Sequence, residues 1–411
     1  MLHSHENTVR LAHYHGVSGI RKASAGPRKS VCRPPDLHAS AALAPHSQAP
    51  EGRHRVPVRR LGRTELQVPV LCFGTMLFGE GNSYEEACLL LDKCMANGVN
   101  FFDSAEMYPV PQRAETAGKS ERLLGQWIRE RKHPRHSILI STKVCGPSGQ
   151  MEWIRGGPHK VDAANIAAAI DGSLQRLGTD YIDLVSIHWP DRYVPMFGDV
   201  DYDPRQAFSG AVPLEEQLEA LGHAVAQGKV RHVGLSNETP YGLTRAILAA
   251  EAHHLPRVCA LQNAYSLTCR TFDAGLAEVC HLEDVSLMAY SPLAMGLLTG
   301  KYLAEDGGPP TARLNKYRGR YAEAESRYGP RPAVQAAVAA YCNIAQKHGM
   351  SPTEMAMRFV LGHPLVAAAV AGATCLPQLE ELIASSCKPC LPEEIMEEID
   401  AVHASYPSPT P

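Results

Sequence analysis

The chain has 411 residues, 45% of them hydrophobic and 20% charged, which supplies ample apolar side chains for a full core. Forty basic against forty-three acidic residues leave a net charge of −3, and such near neutrality argues against nucleic acid or an anionic membrane as the main partner. No run of about 18 apolar residues offers a transmembrane helix, and twelve cysteines are too sparse for a disulfide scaffold; they read as reduced thiols.

Residues 1–55 differ from the rest. They hold eight Lys or Arg, three acids and seven histidines among many Ala and Ser, with no sustained apolar period. A secretory signal needs a compact apolar segment of roughly 7–15 residues, which is missing, whereas an acid-poor, Ser/Ala-rich, basic leader fits a transit peptide. The expectation is a disordered leader directing the chain to the chloroplast, with mitochondrion or cytoplasm as alternatives. The folded unit is then 56–411, with 32 basic and 40 acidic residues and a net charge of −8.

From Val56 onward the pattern changes. Val58-Arg59-Arg60-Leu61-Gly62 and Leu66-Gln67-Val68-Pro69 form two short strands around a turn. Apolar runs then alternate with helix-period segments: Val70–Phe73, Asn100–Phe102, Ile138–Ile140, Ile182–Ile187, Val230–Val233, Val258–Leu261, Val285–Met288 and Val366–Val370. Short unbroken runs suit strands buried on both faces of a parallel sheet. Ser83-Tyr84-Glu85-Glu86 is a capping box opening a helix that ends near Gly98. Ile166, Ile170, Leu174 and Leu177 recur at helical spacing, as do Leu214, Leu218, Leu221 and Val225. Ser351-Pro352-Thr353-Glu354 combines a second capping box with proline at the first helical position. Eight strands, each followed by a helix, make a (β/α)₈ TIM barrel with an N-terminal β-hairpin and extended βα loops; an open doubly wound sheet is the alternative on periodicity alone.

In a barrel, catalytic residues sit where strands end. The residues closing successive runs are Asp103, Lys143, His188, Ser236-Asn237, Gln262-Asn263 and Tyr290-Ser291, every one polar. Tyr108 follows Asp103 closely enough for a loop to return its hydroxyl over the barrel mouth. A free tyrosine titrates near pH 10, so neutral-pH proton transfer calls for a cation beside the phenol. Lys143 supplies the cation, a buried Asp103 holds the lysine, and His188 orients a substrate carbonyl. The set suits carbonyl reduction, with hydride arriving at carbon while Tyr108 protonates oxygen.

Here the sequence resembles the aldo-keto reductase family. The carrying motifs are Asn100-Phe101-Phe102-Asp103-Ser104-Ala105-Glu106-Met107-Tyr108, Gly118-Lys119-Ser120-Glu121, Ser173-Leu174-Gln175-Arg176-Leu177-Gly178-Thr179-Asp180, Gly234-Leu235-Ser236-Asn237, Leu261-Gln262-Asn263 and Tyr290-Ser291-Pro292-Leu293. Tyr108-Pro109-Val110-Pro111 and His188-Trp189-Pro190-Asp191 look like its Tas-type branch. The resemblance implies Asp103, Tyr108, Lys143 and His188 as a catalytic tetrad, a small-molecule carbonyl substrate, and NADPH (NADP+) held without a Rossmann unit. It implies that Ser236, Asn237 and Gln262 meet the nicotinamide carboxamide and that the ring stacks on Tyr290. Ser291, Leu293, Gly296, Leu298 and Lys301 match the loop that closes over the pyrophosphate. Gly372, Gln378 and Glu381 match the adenosine end, and Lys301 and Arg313 match positions that are basic in similar reductases. Potassium-channel β subunits share the implied fold, so the alternative is an NADPH-binding regulatory subunit or redox sensor with little turnover.

Other patterns carry less. Gly296 to Lys301 mimics a phosphate loop but spaces its glycines by three residues rather than four. Cys387-Lys388-Pro389-Cys390 has redox-pair spacing without the strand-then-helix context, and no second ligand pair makes a zinc site, so no metal is expected. Trp153, Trp189, Tyr193, Phe197, Tyr202 and Phe208 fall in the loops expected to wall the pocket.

Overall fold

Each apolar run becomes a strand of one closed parallel barrel in the computed structural model, which describes residues 55–157 and 160–411. Strands β1 (Val58–Arg60) and β2 (Gln67–Pro69) pair antiparallel as the expected hairpin. The barrel strands are β3 (Leu71–Gly74), β4 (Phe101–Asp103), β5 (Leu139–Val144), β6 (Ile182–Ile187), β7 (Val230–Ser236), β8 (Val258–Ala264), β9 (Ser286–Tyr290) and β10 (Val366–Ala371). Neighbours in chain order pair in parallel, and β10 closes onto β3 through Ala369–Leu71, Val370–Cys72 and Ala371–Phe73. Closure settles the choice between a barrel and an open sheet. The basic leader, with its expected boundary at residue 55, lies outside the described residues except for Arg55.

Double-sided burial explains the unbroken runs. Every residue of β4, β6 and β10 is buried. Cys72, Phe101, Leu184, Ala260, Met288 and Ala368 fill the barrel interior together with Leu61 and Val68 of the hairpin, which caps the N-terminal end. Arg59 fixes that cap by donating to the carbonyls of Val366 and Leu361 at 2.5 and 2.7 Å. The outward faces pack against the helices. There Trp127 is wholly buried, meets Phe102 edge-on at 5.6 Å, and donates its indole N–H to Asp92 at 2.8 Å.

The local signals act as their chemistry dictates, with two instructive differences. Ser83 and Glu86 form the full reciprocal box at the head of helix Tyr84–Ala96. At helix Pro352–Gly362 only half of the expected box forms: Ser351 caps the Glu354 amide, but the Glu354 carboxylate turns to Arg358 at 2.9 Å. An ion pair one helical turn on outcompetes the backbone amide for that carboxylate. The second difference is the connection from β9 to β10, which carries short helices Arg313–Lys316 and Ala322–Tyr328 before the long helix Pro332–Lys347. Residues from that inserted segment lie over the mouth of the barrel.

Candidate active site

The C-terminal ends of β4 and β5 bring Asp103 and Lys143 together, Asp103 standing opposite Ser141, and both side chains are almost fully buried, at 3% and 1% exposure. The Lys143 ammonium donates to Asp103 Oδ2 at 2.6 Å and to the Ser104 carbonyl at 2.8 Å. Asp103 Oδ1 accepts from Ser141 Oγ at 3.0 Å and from Gln262 Nε2 at 2.9 Å. A buried charge pair persists only when its remaining polar atoms are satisfied, and here β5, β8 and the residue after β4 supply the partners.

Tyr108 lies over this pair, with the Lys143 ammonium 5.1 Å from its ring centroid, and meets His188 edge-on at 5.7 Å between ring centroids. Burial, and after it the Asp103 carboxylate, push the Tyr108 hydroxyl well above its ordinary range. The Lys143 charge near its ring is paired with Asp103, and the phenol is held protonated. A protonated phenol suits a donor. Burial, followed by the Lys143 charge, pushes His188 well below its ordinary value, so the imidazole is neutral. Its Nδ1 is buried and without a hydrogen-bond partner among the described residues.

Beside His188, a chain of polar groups crosses the ends of β7, β8 and β9. Asn237 Nδ2 donates to the His188 carbonyl at 2.8 Å, Ser236 Oγ donates to the Gln262 carbonyl at 2.8 Å, and the Tyr290 hydroxyl donates to Asn237 Oδ1 at 2.6 Å. Asn237 sits at φ 53°, a left-handed conformation that asparagine tolerates better than most residues. Gln262 has its side-chain nitrogen committed to Asp103, which ties the expected carboxamide contact directly to the ion pair.

These groups line one end of a continuous cavity of about 1210 Å³. Ser291, Leu293, Gly296, Lys301, Arg313, Gly372, Gln378 and Glu381 line it as well. Gly296 has φ 94°, and a Cβ there would lie 3.0 Å from Lys301 Cε, so the lysine runs against bare backbone. Burial, followed by Arg313, lowers the Lys301 pKa, since two cations share one region. Gly372 lets β10 approach β3: a Cβ would sit 2.9 Å from the Gly74 carbonyl. Gln378 closes its own loop on Thr374 at 2.9 Å, and Glu381 accepts from Ser351 at 2.6 Å. Leu298 is the exception. It is buried in the main core and does not line the cavity, because the turn from Ala294 to Thr299 points its side chain inward.

Of the six loop aromatics, Trp153, Trp189 and Phe197 reach the cavity. Tyr193 instead packs at a tilt against Tyr202, 5.3 Å between ring centroids, and Phe208 is 51% exposed. The reading by strand ends missed the β9–β10 insertion, whose Tyr317, Tyr321, Glu323 and Arg327 line the cavity. Tyr317 and Tyr321 flank the break between the two short helices, Tyr328 closes the second, and the cluster of tyrosines at 317, 321 and 328 was the available sequence signal. Burial pushes Glu323 up to about 7, against a smaller opposing effect of Arg327.

A barrel with a buried Asp–Lys pair beneath a protonated tyrosine and a neutral histidine defines a carbonyl oxidoreductase site. The profile of the Aldo/keto reductase family matches residues 70–404, and the chain belongs to that family, an NAD(P)H-dependent oxidoreductase. Within it the chain falls in the Tas-type branch. It is 42% identical to Protein tas of Escherichia coli (strain K12) over 359 residues, which is 87% of this chain and 99% of that protein. An aldo-keto reductase of Babesia bovis is 39% identical over 283 residues, 66% of this chain and 98% of the relative. L-glyceraldehyde 3-phosphate reductase of Escherichia coli (strain K12) is 30% identical over 342 residues, covering 81% and 88% of the two chains. No helix among the described residues is long and apolar enough to cross a membrane.

Proposed function

We propose that the protein reduces aldehyde or ketone carbonyls to alcohols with NADPH, using Tyr108 as the proton donor. The observation that carries this reading is the placement of a protonated Tyr108 against a neutral His188, above the Lys143–Asp103 pair, in a cavity whose wall elsewhere carries Lys301 and Arg313. The cavity fits a dinucleotide together with a substrate: about 1210 Å³ exceeds the usual range for a single small ligand. Lys301 and Arg313 are the donor set that a phosphorylated adenosine needs, and an anion between them relieves their mutual repulsion. Ser236, Asn237, Gln262 and Tyr290 present amide, hydroxyl and ring surfaces suited to the nicotinamide. Bound there, the reduced cofactor supplies a hydride to the carbonyl carbon.

The protein's own groups do the rest. His188, neutral and with an imidazole N–H to give, orients the substrate oxygen, and Tyr108 delivers its proton as negative charge develops there. Lys143 steadies the phenolate left behind, and Asp103 holds the lysine in place. Trp189 and Phe197 exclude water from the reacting carbon. Tyr108→Phe deletes the proton source while keeping the ring, so turnover falls by at least about 10²–10⁴-fold with NADPH affinity unchanged. Wild-type turnover in that variant, with hydride transfer rate-limiting, assigns the proton to another group. We infer in addition that residues 1–55 direct the chain to the chloroplast; their acid-poor, basic composition supports this.

A further inference from the structure

We propose that Arg327, clamped by the segment 408–411, is a positioning residue that fixes Tyr290 and, through it, Asn237 in the cofactor site. The inference rests on the reading that Tyr290 and Asn237 receive the nicotinamide.

Arg327 is 3% exposed, yet no Asp or Glu side chain lies within ion-pair distance of it among the described residues. A buried guanidinium not paired with an acidic side chain is costly unless its N–H groups and its flat faces are otherwise satisfied. They are. Nε donates to the Pro411 main-chain oxygen at 2.7 Å and Nη1 to the Tyr290 hydroxyl at 3.0 Å. The cation also lies 5.7 and 5.3 Å from the ring centroids of Tyr290 and Tyr328. Since Tyr290 gives its own proton to Asn237 Oδ1 at 2.6 Å, the phenol is locked from both sides. Asn237 in turn holds the His188 carbonyl at 2.8 Å. One continuous chain of hydrogen bonds thus runs from Pro411 to the backbone of His188.

The far end of that chain is anchored. Thr410 is fully buried, its amide donates to the Thr268 carbonyl at 3.0 Å, and its hydroxyl donates to Thr268 Oγ1 at 2.8 Å. Arg331 donates to the Pro409 carbonyl at 2.7 Å and to the Arg327 carbonyl at 2.6 Å, while Ser408 Oγ accepts from the Arg270 amide at 3.0 Å. Bonds at four successive residues make the segment a strap rather than a loose end, and they fix the Arg327 fork before any ligand arrives. Preorganisation of this kind matters at the ring whose tilt sets the reacting geometry.

The test is a double-mutant cycle on the full chain, measuring turnover and the affinities for NADP+ and for 2′,5′-ADP, which lacks the nicotinamide. Arg327→Met and Tyr290→Phe should each cut turnover about tenfold to hundredfold and weaken NADP+ binding, while 2′,5′-ADP affinity stays within about twofold. Because Arg327 acts through the Tyr290 hydroxyl, the double variant should lose little more than either single variant. Additive losses, or equal weakening of both ligands, would overturn the proposal, since a merely structural arginine gives that result. Should Arg327→Met fail to fold, Thr410→Lys, which displaces the strap, completes the same cycle with Tyr290→Phe. If the wild type binds neither ligand, the cofactor reading itself falls and takes this inference with it. Wild-type binding of both with an additive cycle removes the inference alone.

Discussion

Removing Lys143 while keeping its bulk isolates the ion pair beneath the tyrosine. Lys143→Met leaves Asp103 at about 3% side-chain exposure with no counter-ion. At 2.6 Å and an effective dielectric near 20, the lost attraction is about 6 kcal/mol, and relief from burying the ammonium offsets part of it. Breaking one partner of a buried pair costs about 3–5 kcal/mol in net terms. Ser141 and Gln262 still donate to Asp103, which favours the lower end of that range. For a barrel of this size about 2 °C accompanies each kcal/mol, so the midpoint should drop by about 6 °C or more. Asp103→Asn/Lys143→Met removes both charges and should recover about half of the loss, although turnover stays abolished in both variants. Calorimetry and NADPH consumption at 340 nm read the two quantities separately. Additive destabilisation across the four proteins would show that the residues are not coupled, and the site would lose its foundation.

The remaining expectations touch the cofactor, the histidine and the leader. Lys301→Ala and Arg313→Ala should each weaken NADPH binding by roughly tenfold to hundredfold and NADH binding far less, by fluorescence titration; equal losses would mean that both grip the shared pyrophosphate. Burial keeps His188 neutral, so its folded pKa lies below the unfolded value of about 6.5, and acid favours the unfolded chain, which binds the extra proton. Stability should therefore fall as pH drops below about 6.5, by up to about 1.4 kcal/mol per unit from this residue, and His188→Asn should flatten the slope in urea titrations at successive pH values. Deleting residues 1–50 should leave the midpoint and turnover unchanged but abolish organelle import of a fluorescent fusion; cytosolic residence of the full-length fusion removes the targeting proposal.

Fold and site were legible in the sequence to different depths, and the difference has a physical origin. Unbroken apolar runs announce buried parallel strands, so the barrel could be read from eight of them. The same criterion clipped those strands at the end that matters. Ser141, Thr142 and Lys143 belong to β5, Ser236 to β7, and Gln262 and Asn263 to β8, yet all are polar and fall outside an apolar run. They stay in the sheet because the barrel mouth gives each polar side chain a partner, as Asp103 does for Ser141, Lys143 and Gln262. Asp103 and Lys143 were therefore visible as polar residues following apolar runs, although both belong to the ends of strands, whereas His188 directly follows β6 and Tyr108 lies in the loop after β4. What the sequence hid depends on contacts between distant segments. Nothing in local periodicity links Arg327 to Pro411 or to Tyr290, because 84 and 37 residues separate them. Leu298 shows the converse: its motif position matches a cofactor loop, but the left-handed Met295 and Gly296 turn the chain so that the leucine faces the core. Strand ends can be read from pattern, whereas the lid assembled from the β9–β10 insertion and the C-terminal strap exists only once the barrel has closed. The strap's action on Tyr290 follows from that order, since a clamp formed by tertiary contacts reports on the site only in the folded chain.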